Sequence, residues 1–325
     1  MNVASQGYQQ PEIRNVLVIV LLASLAIVLP GLQWPLFGWL HLFFPLLVFF
    51  LFSRYGSDTG KKLLLTAVVI ACIVNLFTGE IVLFLFSSSM LIPGFVLHRS
   101  ADCGESPSLS GLKGCLALAG GWLIVAVFAS VSSEVSVYSQ MLYAFDQALS
   151  EALEQYRQGA DIYAETLIVI EATISQLKAG IPIIMPGIIG SLILFIVWLT
   201  MVLGNSLVAR TRGVAVWPSF RQWVLPEKLI WAIIVMGAFV LIPVEPLPRI
   251  GINCVLLLSV IYCFQGLSIT VFFMNKWKVP RLLRSFFYVM IVFQSLGTIV
   301  LLFFGIADIW VDFRKLKVNM ATINE

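Results

Sequence analysis

Four polar side chains lie inside or beside long apolar runs, where an ionisable or hydrogen-bonding group has few ordinary partners. They are His41, Glu80, Asn253 and Gln265. Burying an ionisable side chain at the centre of a bilayer costs at least about 2.5–3.5 kcal/mol, so such groups commonly mark substrate or ion pathways. Asn253 and Gln265 fall on one apolar run and predict a surface that binds a small solute. His41 and Glu80 are the candidates for coupling an ion or a proton to that binding.

Each of these residues also has a structural interpretation. Glu80 lies in the turn FTGEIV, where a carboxylate can cap a helix N-terminus and be stabilised by the helix dipole. His41, in FGWLHLFFP, fits a neutral, hydrogen-bonded core histidine, and His98 ends an apolar run and is expected at the interface. Asn253 and Gln265 can each bridge two helices for about 0.6 kcal/mol. We expect the structural role for Glu80 and His41, and we retain solute binding for the two amides.

Motifs for catalysis and for metal binding are absent from the sequence. It contains no GxSxG, HExxH, P-loop or GxGxxG pattern. Its five cysteines include no CxxC pair, and it has two histidines. The basic residues are spread between apolar blocks rather than gathered into a nucleic-acid patch. The sequence therefore predicts a protein that is not an enzyme, with no metal, no cofactor and no nucleic-acid partner.

The composition places these side chains in a membrane protein. Hydrophobic residues make up 60% of the 325 positions and charged residues 11%, whereas soluble domains have about 25% charged residues. Several apolar runs approach or exceed the roughly 18 residues that cross a bilayer as a helix. A β-barrel would instead show alternating segments of about ten residues. The sequence predicts an all-α, polytopic transmembrane helix bundle in contact with the lipid bilayer.

The apolar runs predict nine spans, or eight if one short run is re-entrant. They cover about residues 16–29, 36–52, 63–76, 81–97, 115–131, 181–208, 225–242, 250–274 and 285–306. The chain accordingly divides into residues 1–132 with spans one to five, residues 133–180 as an insert, and residues 181–325 with spans six to nine and a charged tail. No internal repeat is plain, so the pattern does not indicate an inverted-repeat transporter.

The distribution of lysine and arginine predicts the orientation, because short cytoplasmic loops carry an excess of both. The loops after the even-numbered spans hold most of them: Arg54, Lys61, Lys62, Arg99, Lys113, Arg210, Arg212, Arg221, Lys276, Lys278, Arg281 and Arg284. We expect these loops and the N-terminus in the cytoplasm. In the nine-span version the tail residue Arg314 would lie outside, opposite Arg221.

The insert, residues 133–180, predicts an amphipathic helix on the extracytoplasmic side. An apolar or aromatic residue recurs every seven positions, at Leu142, Leu149, Tyr156, Tyr163, Ile170 and Leu177. Seven acidic residues face two basic ones, which suits the outer face. Gly159 sits in the middle and costs about 1 kcal/mol relative to alanine in a helix, so we expect a bend or break near Gln158–Gly159.

Three interpretations of the apolar stripe stay open at this point. Two helices can pack on each other and cap the bundle, the stripe can contact another copy or another membrane protein, or the helix can lie on the lipid surface. The acidic face disfavours the third, because interfacial helices favour lysine and arginine. Ala67 and Ala71 form a small-xxx-small pattern that serves either packing within the chain or a partner contact.

The second half of the chain resembles a known family. The order FRQWVLPEKLIW, GINCVLLLSVIYCFQGLSITVFF, NKWKVPRLLRSFFYV and GIADIWVDFRK, over about residues 215–315, resembles the YybS-like bacterial integral membrane proteins, a family defined as a domain of unknown function. The resemblance implies a multi-pass protein of the bacterial inner membrane. The N-terminal spans, with Ala67 and Ala71, are more loosely similar to the substrate-binding subunits of energy-coupling-factor transporters.

Two functions follow as hypotheses. The first is a non-enzymatic membrane protein that binds or helps to transport a small solute, with Asn253 and Gln265 lining the site. The second is a scaffold or regulatory subunit that recruits partner proteins through the acidic insert and the basic loops.

Overall fold

Helices account for the regular structure of the part of the chain that the computed structural model describes, residues 12–158 and 163–315. The helices are α1 Ile13–Leu32, α2 Trp34–Phe37, α3 Phe44–Thr78, α4 Ile81–Ser89, α5 Ile92–Asp102, α6 Pro107–Ser133, α7 Val137–Gln158, α8 Ala164–Arg212, α9 Leu229–Leu241, α10 Leu247–Lys276, α11 Arg281–Phe293 and α12 Ser295–Val311. Short 3-10 helices cover Gly38–Phe43 and Phe220–Gln222. The predicted all-α class is confirmed.

Six helical segments of the described chain are long and apolar enough to cross a membrane. They are Arg14–Leu32, Trp34–Thr78, Ile81–Asp102, Pro107–Ser133, Glu165–Arg212 and Leu247–Lys276. The pair Arg281–Ile291 and Leu296–Val311, bent by 99°, makes a seventh if it counts as one span. The apolar helix α9 is shorter. By length and composition the structure thus has six or seven spans, and the predicted eight or nine are not confirmed.

A sharp turn at Gly56 divides α3. Gly56 has φ 83° and ψ 166°, outside the helical region, in a conformation that glycine adopts readily because it lacks a Cβ. Beyond the turn, a Cβ placed on Gly60 would lie 3.2 Å from the Cα of Phe52. In a continuous helix, residues eight apart are separated by about 12 Å along the axis. The chain therefore folds back on itself at Gly56, between the second and third predicted spans.

The C-terminal tail meets the loop that follows α8. Arg314 is buried, and its Nη1 donates a hydrogen bond to the backbone oxygen of Arg221 at 2.9 Å. A bilayer core is about 30 Å thick, so two groups in contact cannot lie on its opposite faces. The nine-span prediction, which places Arg314 outside and Arg221 in the cytoplasm, is wrong on this point, because the two residues are in contact.

The amphipathic insert forms a hairpin of α7 and the first turns of α8. Helix α7 ends at Gln158 and α8 begins at Ala164, so the expected break flanks Gln158, while Gly159 lies outside the described residues. Two ion pairs join the arms, from Arg157 to Glu171 at 2.7 Å and from Lys178 to Asp146 at 2.9 Å. These contacts favour the interpretation in which two helices pack on each other. The side of the membrane on which the hairpin lies stays a prediction.

The apolar stripe of the insert is divided between the hairpin and its surface. Leu142, Leu149 and Ile170 are half-buried. Tyr156, Tyr163 and Leu177 are exposed, Tyr163 to 83%. Part of the stripe is therefore used within the chain, and part of it faces outward.

Ala67 and Ala71 lie inside the bundle. Both are 0% exposed, on the second arm of α3, which packs closely against α1. Small side chains at this spacing let helix backbones approach. Their predicted contact with a partner is wrong, because the chain itself covers this face.

Candidate functional site

Two prolines interrupt the backbone hydrogen bonding of α8 close to its contact with α10. Pro182 and Pro186 lie inside the helix, and each lacks the N–H that would bond to the carbonyl four residues earlier. The carbonyl that Pro186 leaves without its helical donor is that of Pro182. The hydroxyl of Tyr138, on α7, donates to this carbonyl at 3.0 Å. The hairpin thus satisfies one of the groups that the prolines release.

Asn253, on α10, bonds to the same proline-containing stretch of α8. Its Oδ1 accepts from the backbone N–H of Gly187 at 2.6 Å, and its Nδ2 donates to the backbone oxygen of Ile183 at 2.8 Å. Gly187 and Ile183 are four residues apart, so these are the two groups that pair with each other in a regular helix. Nδ2 also donates to the carbonyl of Arg249 in its own helix at 2.7 Å. The Asn253 amide therefore ties α10 to α8 at the prolines.

An open groove with a volume of about 640 Å³ lies at this junction. Its lining consists of Ala179, Pro182, Ile183, Pro186, Arg249, Ile250, Asn253 and Cys254. Most of these side chains are apolar, and Arg249 supplies one cation, which pairs with Glu245 at 3.1 Å while both stay more than 60% exposed. Small-molecule sites typically combine such an apolar wall with a few polar groups and have volumes of about 300–1,000 Å³.

Gln265 does not join Asn253 at the groove. It is buried further along α10, where its Nε2 donates to Oδ2 of Asp308 on α12 at 2.8 Å. The helices approach closely here, since a Cβ on Gly266 would lie 1.9 Å from the backbone oxygen of Leu301. The two amides predicted to share one solute site thus serve two different helix contacts, and of the two Asn253 lines the groove.

The carboxylate that Gln265 contacts, Asp308, also forms a buried ion pair with Arg314. Nη2 of Arg314 lies 3.0 Å from Oδ2 of Asp308, with the side chains 0% and 4% exposed. Nη1 of Arg314 donates to Oγ of Ser268 at 2.7 Å, and the Ser268 hydroxyl donates to the carbonyl of Phe220 at 2.8 Å. Oδ1 of Asp308 accepts from the N–H of Phe313 at 3.0 Å. This Asp308 cluster ties α10, α12, the tail and the loop after α8 to one another.

The hydropathy of the sequence does not mark Asp308 or Arg314 as buried. The last predicted span ends at residue 306, because the run DIWVDFRK that follows is charged. An available signal was the position of Asp308 within GIADIWV, where apolar residues continue on both sides of the carboxylate. An acid in such surroundings requires a partner, and Arg314 provides it.

His41 has the hydrogen-bonded core position expected for it, and Glu80 has the expected position at a helix N-terminus without the cap. His41 is buried; its Nδ1 lies 2.9 Å from the carbonyl of Gly38 and its Nε2 lies 2.9 Å from Oγ of Ser87. Glu80 is the exposed N-cap residue of α4, although its side chain makes no capping hydrogen bond. Neither residue lines the groove. Their coupling role stays a prediction that the geometry does not favour.

Comparison with known proteins identifies one family across most of the chain. A family model described as "Predicted membrane protein (DUF2232)" matches residues 20–309. The match agrees with the resemblance to the YybS-like membrane proteins, and it includes both Asn253 and Asp308. No curated protein and no solved structure matches the sequence.

Proposed function

Because the chain belongs to the DUF2232 family of predicted membrane proteins, we propose that it is a multi-pass protein of the bacterial inner membrane that binds a small solute and helps to move it, without catalysing a reaction. The groove at the prolines of α8 supports this proposal. Prolines inside a membrane helix leave backbone carbonyls without their helical donors, so polar groups are available there. In this chain two such prolines, an accessible volume and a cation coincide at one place.

The lining of the groove indicates the kind of solute. Pro182, Ile183, Pro186 and Ile250 form an apolar wall, and Arg249 stands at one side of it. The amide of Asn253 already serves three backbone groups, so Arg249 is the stronger determinant of charge. A solute with an apolar body and a carboxylate end fits this arrangement.

Cys254 lines the groove, so the rate at which a maleimide labels its thiol can measure whether a solute occupies the groove. In a variant with Cys254 as its single cysteine, octanoate and a panel of longer and aromatic carboxylates are expected to slow labelling by N-ethylmaleimide. Ala179→Phe, which fills the groove from α8, should abolish this protection. Ala172→Phe is the matched control, because it is exposed on the same helix two turns earlier and does not line the groove. Labelling that no carboxylate slows, or equal effects of the two phenylalanines, would contradict solute binding here.

The proposed topology has eight crossings. It counts the two arms of α3 separately, includes the short helix α9, and lets α11 and α12 return to the face on which α10 ends. The contact between Arg314 and Arg221 supports this topology, because it requires the tail and the loop after α8 to lie on the same side of the membrane. The basic loops then lie in the cytoplasm and the α7–α8 hairpin lies outside.

Two cysteines test this topology. Cys103 is native and exposed, and we expect a membrane-impermeant maleimide to label it in inverted vesicles but not in spheroplasts. A cysteine introduced as Glu151→Cys on α7, in a background without the native cysteines, should show the opposite pattern. Labelling of both positions from the same side would refute the arrangement.

A scaffold or regulatory subunit is the second candidate function. The hairpin exposes apolar side chains, with Tyr143 64%, Ile168 66% and Val169 65% exposed. Such surface suits contact with a membrane-protein partner or a second copy of the chain. An unprotected Cys254 together with a specific partner recovered from native membranes would favour this alternative over solute binding.

A further inference from the structure

A second, polar cavity of about 250 Å³ lies at the Gly56 turn. Its lining consists of Ser57, Lys61, Phe95, His98, Arg99, Asp102 and Cys103. None of these residues lines the groove at Asn253. The cavity is therefore a separate feature, and the inference drawn from it does not depend on solute binding at the groove.

The fold builds this cavity from two helices that meet at the turn. Reversal of the chain at Gly56 brings Ser57 and Lys61 next to the last turns of α5, which carry His98 and Asp102 one helical turn apart. The end of α8 lies alongside, where Nη1 of Arg212 donates to the backbone oxygen of Ser53 at 2.8 Å. Loops predicted to share the cytoplasmic face thus converge here.

His98 is the buried polar group of the cavity. It is 1% exposed, and its Nε2 lies 3.2 Å from Oδ2 of Asp102 and 3.4 Å from Oγ of Ser57. Its Nδ1 lies 3.3 Å from Oγ of Ser53. Both nitrogens of the imidazole thus have partners, and those on Nε2, Ser57 and Asp102, themselves line the cavity.

The cavity has an excess of positive charge. Within the described ranges neither Lys61 nor Arg99 forms an ion pair, and Nζ of Lys61 lies 5.9 Å from the centre of the Phe95 ring. Of the seven lining side chains, Asp102 is the single carboxylate. Two cations and a buried histidine therefore face one acid, which favours an anionic ligand.

The geometry does not support nucleophilic catalysis by these residues. A Ser-His-Asp triad needs the serine and the aspartate on opposite nitrogens of the histidine. The aspartate then orients the imidazole, and the imidazole takes the proton of the serine. Here Ser57 and Asp102 both approach Nε2. Ser53 lies at the opposite nitrogen, but it is buried and does not line the cavity. The serine that a ligand can reach is therefore on the same nitrogen as the carboxylate, and the arrangement suits holding an anion.

We propose that this cavity binds a phosphate-bearing anion, either the headgroup of an anionic lipid or a small free phosphate. Arg99 can hold two phosphate oxygens with its planar guanidinium, while Lys61 acts as a mobile point charge. The imidazole of His98 and the hydroxyl of Ser57 supply further polar contacts from the wall. Asp102 opposes the anion and limits its affinity.

The experiment uses the full-length protein in a zwitterionic detergent, with one arm for each source of the phosphate group. Native mass spectrometry measures binding of phosphatidylglycerol, with phosphatidylcholine, a zwitterionic lipid without net charge, as the reference, and calorimetry measures binding of inorganic phosphate. The double variant Lys61→Ala/Arg99→Ala should lower the affinity for whichever of the two ligands binds by roughly 30-fold. Each cation near a membrane surface contributes about fivefold, and the two effects multiply. Asp102→Asn should raise the affinity, because it removes the opposing charge.

Lys62→Ala is the matched control, since Lys62 is the exposed neighbour of Lys61 and does not line the cavity. Binding of the lipid alone assigns a headgroup site, and binding of inorganic phosphate assigns a soluble ligand. Absence of both, an unchanged affinity in Asp102→Asn, or a loss in Lys62→Ala equal to that in Lys61→Ala/Arg99→Ala would overturn the proposal. Equal unfolding midpoints of the variants and the parent establish that the changes act on binding.

Discussion

Asp308→Asn is expected to lower the free energy of unfolding by about 3–5 kcal/mol, the usual cost of removing one partner from a buried ion pair. Asparagine keeps the shape of the side chain and one oxygen, but it removes the negative charge that faces Arg314. The guanidinium is 0% exposed, so it cannot regain water without moving the tail. Reversible denaturant unfolding in mixed micelles measures the loss.

An exposed ion pair of the same chain provides the control. Glu245 and Arg249 are 63% and 62% exposed and lie four residues apart, and such pairs contribute about 0–1 kcal/mol. Glu245→Gln should therefore be close to neutral. A loss in Asp308→Asn no larger than that in Glu245→Gln would show that Arg314 is hydrated and that the Asp308 cluster is not buried.

The double variant Asp308→Leu/Arg314→Met separates the charge from the packing. Replacing a buried ion pair by apolar residues of similar volume is often neutral, because the cost of desolvating both charges disappears with them. The double variant should then be more stable than Asp308→Asn. Equal destabilisation by both would mean that the hydrogen bonds to Gln265 and Ser268, rather than the charges, hold the tail in place.

Local sequence patterns predicted much of the architecture. Apolar runs indicated the membrane helices, because a continuous run of this length has no other stable location. The seven-residue stripe and Gly159 indicated two helical arms in the insert, and both are present on either side of the undescribed residues. The basic loops were assigned to one face, and Lys61 and Arg99 indeed line one cavity.

What sequence analysis missed depends on contacts between distant positions. Asp308 bonds to Gln265, 43 residues earlier in the chain, and no local pattern states that these two side chains meet. His98 was expected at the interface because it ends an apolar run, yet it is buried against Ser53 and Ser57. In each case a polar residue near the end of a run is covered by another helix, and hydropathy alone does not encode that packing.

The same limitation applies to Asn253. The sequence predicts that it lines a solute site, but it does not predict that its amide bonds to the backbone of α8. The residue lines a groove, as expected for a solute site, but its amide is engaged with the backbone of α8. Binding and packing were treated as alternatives in the sequence. At the prolines of α8 the groove and the helix contact lie together, because Asn253 both lines the groove and bonds to the backbone of α8.

Asn253→Ala should accordingly lower the free energy of unfolding by about 2 kcal/mol, because it removes the two hydrogen bonds that tie α10 to α8, each worth about 1 kcal/mol. The loss of this tie also lets α10 shift against α8 where both line the groove. The rate at which N-ethylmaleimide labels Cys254 should therefore change as well.

Thr270→Val is the control for that variant, because Thr270 bonds within α10 to the carbonyl of Gly266 at 3.0 Å and does not reach α8. Its removal should cost about 0.6 kcal/mol or less, the average for a polar side chain in a membrane bundle. The combination of outcomes identifies what Asn253 does. Lost stability with a changed rate of Cys254 labelling indicates that the amide sets the contact of α8 with α10 at the groove, whereas lost stability with unchanged labelling would show that the groove does not depend on Asn253.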